Sequence, residues 1–393
     1  MDNFFLQGRF EKAMKFTLTD LGISCALGRG KDEVARNAFS ADASGMMRFE
    51  DFVWKQTVVF GKIRSDISNK DMRAKALLDI ALDELSEKIE SLKKEYDTSR
   101  LGIVLGSSNT GIDEAFMHIQ KWLLTKEKPT EFDFEQIRLG TPAEYLQEKV
   151  KFEGPAYVVS TACSSSSKVF YSARALIEND ICDAVLVGGV DSLCRFAMNG
   201  FYALDALSLQ HTNPMSKNRE GINLGEGVAL FVMEKDKNGI YLAGIGESSD
   251  AYHLTSPDPS GAGAIKSMQK ALEDAALNAC DIDYINLHGT GTLHNDSMET
   301  LAVSNLFGKQ TLCASTKPLT GHTLGAAGAL ELALSWLMLK ENRIIPHVYD
   351  GDYDDTLPDI RLASGKENKV IKTILSNSFA FGGSNASVIL RKD

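Results

Sequence analysis

Short runs of uninterrupted apolar residues recur along the chain, separated by longer stretches in which apolar positions return every three or four residues. The short runs read as strands: LGIVLGS at 101–107, AVLVGGV at 184–190, VALFVME at 228–234, YINLHG at 284–289, TILSNSF at 373–379 and ASVILR at 386–391. Their apolar residues occupy successive rather than alternate positions, which predicts a sheet covered on both faces. The longer stretches predict helices at about 70–94, 163–179, 262–278, 295–306 and 322–340. Strand-like and helix-like segments alternate throughout, so the fold class is α/β. A further strand pattern opens at Met14, in MKFTLTDLGISCALGRG, and ends in glycine turns. The preceding segment at 1–13, MDNFFLQGRFEKA, differs in character and reads as a leader or a cloning remnant.

The chain also echoes itself. VVSTACSSSSKVFYSARALI and CASTKPLTGHTLGAAGALELALSWL each run from a short strand through Ser-Thr and a turn of small residues into an apolar helix, and an apolar strand follows each. This predicts a duplicated unit joined near EKDKNG at 234–239, with one half at 14–237 and the other at 238–393. The small residues at 325–329 let the second of these helices approach a neighbour closely.

Composition narrows the function classes. The net charge is −11, which argues against nucleic acid as the main partner. Six cysteines, at 25, 163, 182, 194, 280 and 313, show neither C-x-x-C spacing nor a secreted framework. They read as reduced thiols of a cytoplasmic protein with no metal site. No apolar stretch reaches the roughly 18 residues that a membrane span needs, and no signal-peptide pattern is visible at the start.

Polar clusters interrupt the ends of the predicted strands. In STACSSSS, at 160–167, Cys163 stands where a strand turns into a helix; unpaired N–H groups and the helix dipole there bias a thiol towards thiolate. LHGTGTLHNDSMET places His288 just after a strand, with Asp296 and Glu299 on the following helix. STKPLTGHTLGAAG carries Lys317, and His322 at a helix start. NSFAFGGSNAS holds Phe379, Ala380, Phe381, Gly382 and Gly383, whose glycines open backbone shapes closed to other residues. No phosphate loop, G-x-G-x-x-G or G-x-S-x-G appears, so neither a dinucleotide enzyme nor a serine hydrolase gains support.

These four motifs, in this order and at these separations, resemble the β-ketoacyl-[acyl-carrier-protein] synthases, and NREGINLGEGVALFVMEK at 218–235 is similar to a further family segment. The resemblance runs from about Met14 to the C-terminus. It implies a thiolase-like fold of two similar halves, each a mixed five-stranded sheet, in five α-β-α-β-α layers, and a dimer paired through a strand of the first half. It implies that Cys163 takes an acyl chain from an acyl carrier protein, and that decarboxylative Claisen condensation with the malonyl carrier protein follows. By the same resemblance, the backbone N–H groups of Cys163 and Phe381 would form the oxyanion hole, His288 and His322 would stabilise the enolate, and Lys317 would support His322. The resemblance further implies that Asp296 and Glu299 tie Lys317 in place and that 379–383 form a gate. No metal or diffusible cofactor is implied, since the phosphopantetheine arm arrives with the carrier protein. Lys70, Arg73 and Lys75 are the candidate docking patch for that acidic protein.

Two departures from the family pattern bear on the gate. Ala380 stands where many relatives have glycine, and Met215 and Ser216 replace the Phe-Asp that relatives often carry. The segment GSSNTGIDEAFMHIQKWLL is expected to line the acyl pocket across a dimer interface. Two alternatives remain: a heterodimer with a related chain-length-factor subunit, and a thiolase. The second is disfavoured because FGG occupies the place of a thiolase's CGG-like turn.

Overall fold

The computed structural model describes residues 14–53, 55–64 and 72–393. In chain order the first half comprises β1 (Phe16–Cys25), α1 (Arg73–Glu95), β2 (Leu101–Gly106), α2 (Ile112–Thr125), β3 (Ala156–Val159), α3 (Ser165–Glu178), β4 (Ala184–Asp191), α4 (Arg195–Ala203) and β5 (Gly227–Lys235). The second comprises β6 (Ile240–Ser249), α5 (Ala262–Asp274), β7 (Tyr284–Asn286), α6 (Leu293–Phe307), β8 (Leu312–Ala314), α7 (Ala327–Glu341), β9 (Thr373–Ala380) and β10 (Ser384–Lys392). A hairpin, Met46–Val53 with Gln56–Gly61, stands outside the main sheet.

The duplication is explicit in the topology. The first half has strand order β3-β2-β4-β5-β1 and the second β8-β7-β9-β10-β6, with the two-residue strand Arg361–Leu362 parallel outside β8. In each, the second strand of the half is parallel to the third and fourth, and the fourth, fifth and first strands run antiparallel in turn. The halves join where β1 meets β6 at Phe16↔Leu242 and Thr17↔Tyr241.

Alternation along each strand divides the core into layers. Ile103 and Leu105 of β2, Leu186 of β4 and Leu230 and Val232 of β5 face α1. Val104, Val185, Val187 and Phe231 face the opposite way, onto α3 and α7, which meet Ile374 and Val388 of the second half. Leu375 and Ile389 then face α5 and α6. The result is five layers, with α3 and α7 between the sheets. All of α7 from Ala327 to Leu339 is buried, as a helix covered on every side requires.

Local differences from expectation have local causes. The predicted helix at 322–340 begins only at Ala327, behind a 3₁₀ turn at Leu324–Ala326. The strand β6 escapes the apolar-run criterion because Gly244 and Gly246 interrupt it. A Cβ on either would strike the α5 backbone, at 2.3 Å from Ala271 O and 1.9 Å from Ser267 O respectively. No helix among the described residues is long and apolar enough to cross a membrane.

Small residues set the depth of the central layer. A Cβ on Gly106 would lie 2.4 Å from the Ser166 backbone, and one on Gly328 2.0 Å from Ser167 Oγ. The close approach expected of the residues at 325–329 therefore occurs, against the first turn of α3. Since backbone cannot give way, Gly106→Ala is expected to destabilise the protein by about 1–3 kcal/mol, read as a shift in the urea midpoint.

Candidate active site

The serine run builds the turn that carries Cys163. Ala162 adopts a left-handed φ of 55°, a strained conformation for a residue with a Cβ. The turn is held by its neighbours: Ser165 Oγ donates to Ala162 O and accepts from Thr161 N at 2.8 Å. Ser164 Oγ donates to Thr161 O at 2.9 Å, Ser166 Oγ accepts from Ala329 N at 2.9 Å, and Ser167 Oγ pairs with Ser378 Oγ at 2.8 Å. The four hydroxyls thus fasten the turn to itself, to α7 and to β9. Cys163 is left as the residue of the run facing the cavity.

Three loops converge on that thiol. His322 Nε2 lies 3.0 Å from Cys163 Sγ, and the rings of His288 and His322 meet edge to face with centroids 5.4 Å apart. Lys317 Nζ lies 3.4 Å from His288 Nδ1, donates to His288 O and forms a buried ion pair with Glu331 of α7. Phe379 packs edge-on to His288, and the Phe381 ring meets Phe201 of α4 at 5.6 Å. A cavity of about 330 Å³ runs from Cys163, His288 and His322 past 379–381 to Thr290 and Leu293.

Several expected roles change on this geometry. Lys317 contacts His288 rather than His322, and Glu331 anchors it rather than Asp296 or Glu299. The two α6 carboxylates hold backbone instead. Glu299 accepts from His288 N and Gly289 N, both at 2.7 Å, and Asp296 from Met215 N at 2.9 Å and Gly291 N at 3.2 Å. The physical reason is reach: carboxylates on the first turns of α6 face the loop that leads into it, whereas α7 passes directly behind Lys317.

Of the docking candidates, the structure reassigns Arg73. Lys70 lies outside the described residues. Arg73 is committed to the buried carboxylate of Glu226, with Nε–Oε2 and Nη2–Oε1 both 2.6 Å. Lys75 lies over the Tyr145 ring, 5.5 Å from its centroid.

Burial dominates the electrostatics. Both imidazoles are held well below the usual histidine range, first by desolvation and then by the Lys317 charge. No helix dipole needs to be invoked for His322, since α7 starts five residues further on. Burial pushes the Cys163 thiol up to about 11, against the opposing pull of the Lys317 charge and the Phe381 backbone amide. The Cys163 thiol therefore rests neutral beside a neutral imidazole, and the expected bias towards thiolate loses to desolvation. Burial also raises Glu299, to about 7.

Residues 31–238 match the β-ketoacyl synthase N-terminal domain, and residues 241–349 match its C-terminal domain. The chain belongs to the β-ketoacyl synthase family. It is 36% identical to the 3-oxoacyl-[acyl-carrier-protein] synthase 2 of Rhizobium meliloti, over 81% of this chain and 80% of that one. It is 32% identical to the protein of the same name from Coxiella burnetii, over 76% and 77%. Among solved structures, the complex of the ketosynthase ApeO with its chain length factor ApeC from Xenorhabdus doucetiae contains a similar chain. That match has a TM-score of 0.92 at 35% identity, covering 97% of this chain and 98% of that one. Family membership makes the protein a condensing acyltransferase with the thiolase-like fold.

Within this β-ketoacyl synthase, sequence reasoning missed three residues that fix the site. Glu331 lies inside an apolar helix, where only its isolation as a charge was a signal. Asn223 clips the loop at 208–212 through its side chain, while its backbone O accepts from His322 N at 2.7 Å. His347 accepts at Nδ1 from Ser315 N (3.1 Å) and donates from Nε2 to Pro214 O (3.0 Å), joining the Lys317 loop to the Met215 loop. Burial holds that imidazole down at about 4.

Two outcomes follow from this geometry. Glu331→Gln leaves Lys317 buried without its counter-charge and is expected to cost about 3–5 kcal/mol of stability in urea titration. Because thiolate is scarce until the pH nears 11, alkylation of Cys163 by iodoacetamide should accelerate roughly tenfold per pH unit between about 6 and 9. A rate that is already level at neutral pH would instead reveal a resting thiolate–imidazolium pair.

Proposed function

We propose that Cys163 accepts an acyl chain from an acyl carrier protein and that the enzyme then extends it by decarboxylative Claisen condensation with the malonyl carrier protein. The observation that carries this reading is the 3.0 Å approach of His322 Nε2 to a buried, neutral Cys163 thiol within a cavity that also exposes His288. As the sulfur attacks the thioester carbonyl, His322 takes the thiol proton and returns it to the departing phosphopantetheine sulfur. The backbone amides of Cys163 and Phe381 receive the oxyanion; the lowering influence of both amides on the thiol supports this placement.

In the second half-reaction His288 and His322 donate hydrogen bonds to the malonyl thioester carbonyl. Loss of carbon dioxide leaves an enolate, which attacks the acyl-cysteine; the cysteine sulfur departs and regains a proton from water. Neutral imidazoles suit this task because they donate a hydrogen bond without surrendering a full proton. Lys317, through His288, sets the charge behind the pair. The reading requires no resident metal or cofactor, since the phosphopantetheine arm enters through the cavity. Six unpaired cysteines are in keeping with a cytoplasmic location.

The partner is a second copy of this chain or a related chain-length-factor subunit. Support comes from the apolar residues exposed on and beside α2, namely Leu123, Leu124, Phe134 and Phe196, and from β3, the outermost strand of its half. The likeness to the ApeO–ApeC complex favours the heterodimer and a specialised polyketide-type pathway over primary fatty acid synthesis. A subunit lacking the nucleophile is disfavoured by the intact Cys163–His322 pair. A thiolase is disfavoured because Phe381 fills the position of a second cysteine.

Intact-protein mass spectrometry with short, medium and polyenoyl carrier proteins tests the assignment. Acylation confined to Cys163, absent in Cys163→Ala, and release of an elongated product on malonyl addition are expected; an adduct elsewhere would overturn it. The gate gives a second outcome. Ala380 sits at the end of β9, paired with Ser384, while Gly382 and Gly383 take the left-handed turn at φ 83° and 75°. Ala380→Gly should loosen the residue that tethers Phe381 and alter chain-length preference in the same assay; an unchanged product spectrum would remove Ala380 from the gate.

A further inference from the structure

Cys163 Sγ, a ring nitrogen of His288 and a ring nitrogen of His322 lie within 4.8 Å of one another, and all three side chains are buried. No spacing in the sequence announces this group, because its members come from the turn before α3, the loop after β7 and the loop before α7. A thiol and two neutral imidazoles converging on one point form a donor set suited to a soft d¹⁰ divalent cation. Three protein ligands and one open position are the arrangement of an accessible zinc centre rather than a closed structural one.

The Cys163–His322 edge of the group fits with little movement, and the other two separations are within 4.8 Å. Zinc–sulfur and zinc–nitrogen bonds at tetrahedral angles place the ligand atoms about 3.6 Å apart. The Sγ–Nε2 separation of 3.0 Å needs to open by only about half an ångström, and the cavity of about 330 Å³ gives room on the open side. His322 Nδ1 is buried without a hydrogen-bond partner among the described residues, so no neighbour dictates which ring nitrogen carries the proton. Nε2 is free to present its lone pair to a cation. Behind the histidines, Glu299 grips the backbone of His288 and Glu331 faces Lys317. The Glu331 charge is already balanced by Lys317, so Glu299 is the carboxylate left to offset an incoming cation.

We propose that a soft divalent cation of the zinc class binds reversibly to Cys163, His288 and His322 and silences the enzyme by occupying its nucleophile. The step is a simple exchange without redox change: the thiol proton leaves to solvent and a sulfur–metal bond forms in its place. Inhibition rests on the acyl-transfer reading above; binding of the metal does not.

Cadmium is the probe, because its bond to thiolate gives an ultraviolet charge-transfer band. Titration of the full chain should reach one equivalent. The band should vanish in Cys163→Ala, persist in Cys280→Ser, and require at least roughly tenfold more metal in His322→Asn. In the wild-type protein, zinc should compete with cadmium and shield Cys163 from iodoacetamide, and a chelator should restore labelling. This second arm needs no variant to fold. A band that survives Cys163→Ala, or zinc that leaves Cys163 labelling unaffected, overturns the proposal. A Cys163-dependent band in a protein that no carrier protein acylates would keep the metal site and sink the acyl-transfer reading; acylation without such a band does the reverse.

Discussion

Two helices share the space between the sheets, and the rest of the molecule depends on how closely they approach. The start of α3 lies against β2 at Gly106 and against the start of α7 at Gly328, at distances where a single added carbon would overlap backbone or side chain. That contact brings the turn before α3, with Cys163, to the loop before α7, with His322. Halves related by duplication thus contribute different chemistry to one point, the thiol from the first and both histidines and the lysine from the second. The serines around Cys163 belong to the same constraint, since their short hydroxyls bond across the interface where longer side chains would hold the helices apart.

Enclosure of this kind determines the electrostatics. Desolvation favours the neutral form of every isolated group, so the thiol and both imidazoles rest uncharged, while Lys317 is accommodated by Glu331. The charge of the site is therefore concentrated in one buried pair behind His288, and the thiol and the two imidazoles sit in front of it. The carboxylates of α6 serve a different end. By accepting backbone N–H groups of the loop at 288–291 and of Met215, which itself holds a left-handed φ of 65°, they keep strained loops in place. Such loops would otherwise leave buried donors unpaired.

A site assembled from three loops needs cross-ties, and they come from residues that look unremarkable in one dimension. Asn223 and His347 each span two segments far apart in sequence, and each satisfies several backbone groups at once. Arg73 likewise faces inward to Glu226, although its place at a helix start among other basic residues suggested a surface role. Whether a charge is solvated or buried depends on what packs over it.

The α/β class, most strand and helix positions, the duplicated organisation and the set of residues that could do chemistry are legible along the chain. Those are encoded in local apolar runs, in the small-residue turns before two similar helices and in four motifs, each within a few residues of chain. Which members of the set touch is settled in three dimensions. Lys317 finds His288 and Glu331 rather than His322 and the α6 carboxylates, and the Cys163 thiol remains protonated at a place where a helix end alone would ionise it. Contact partners and burial are properties of segments distant in sequence meeting in a space of fixed depth, and that depth is set by backbone approach, which no local pattern records.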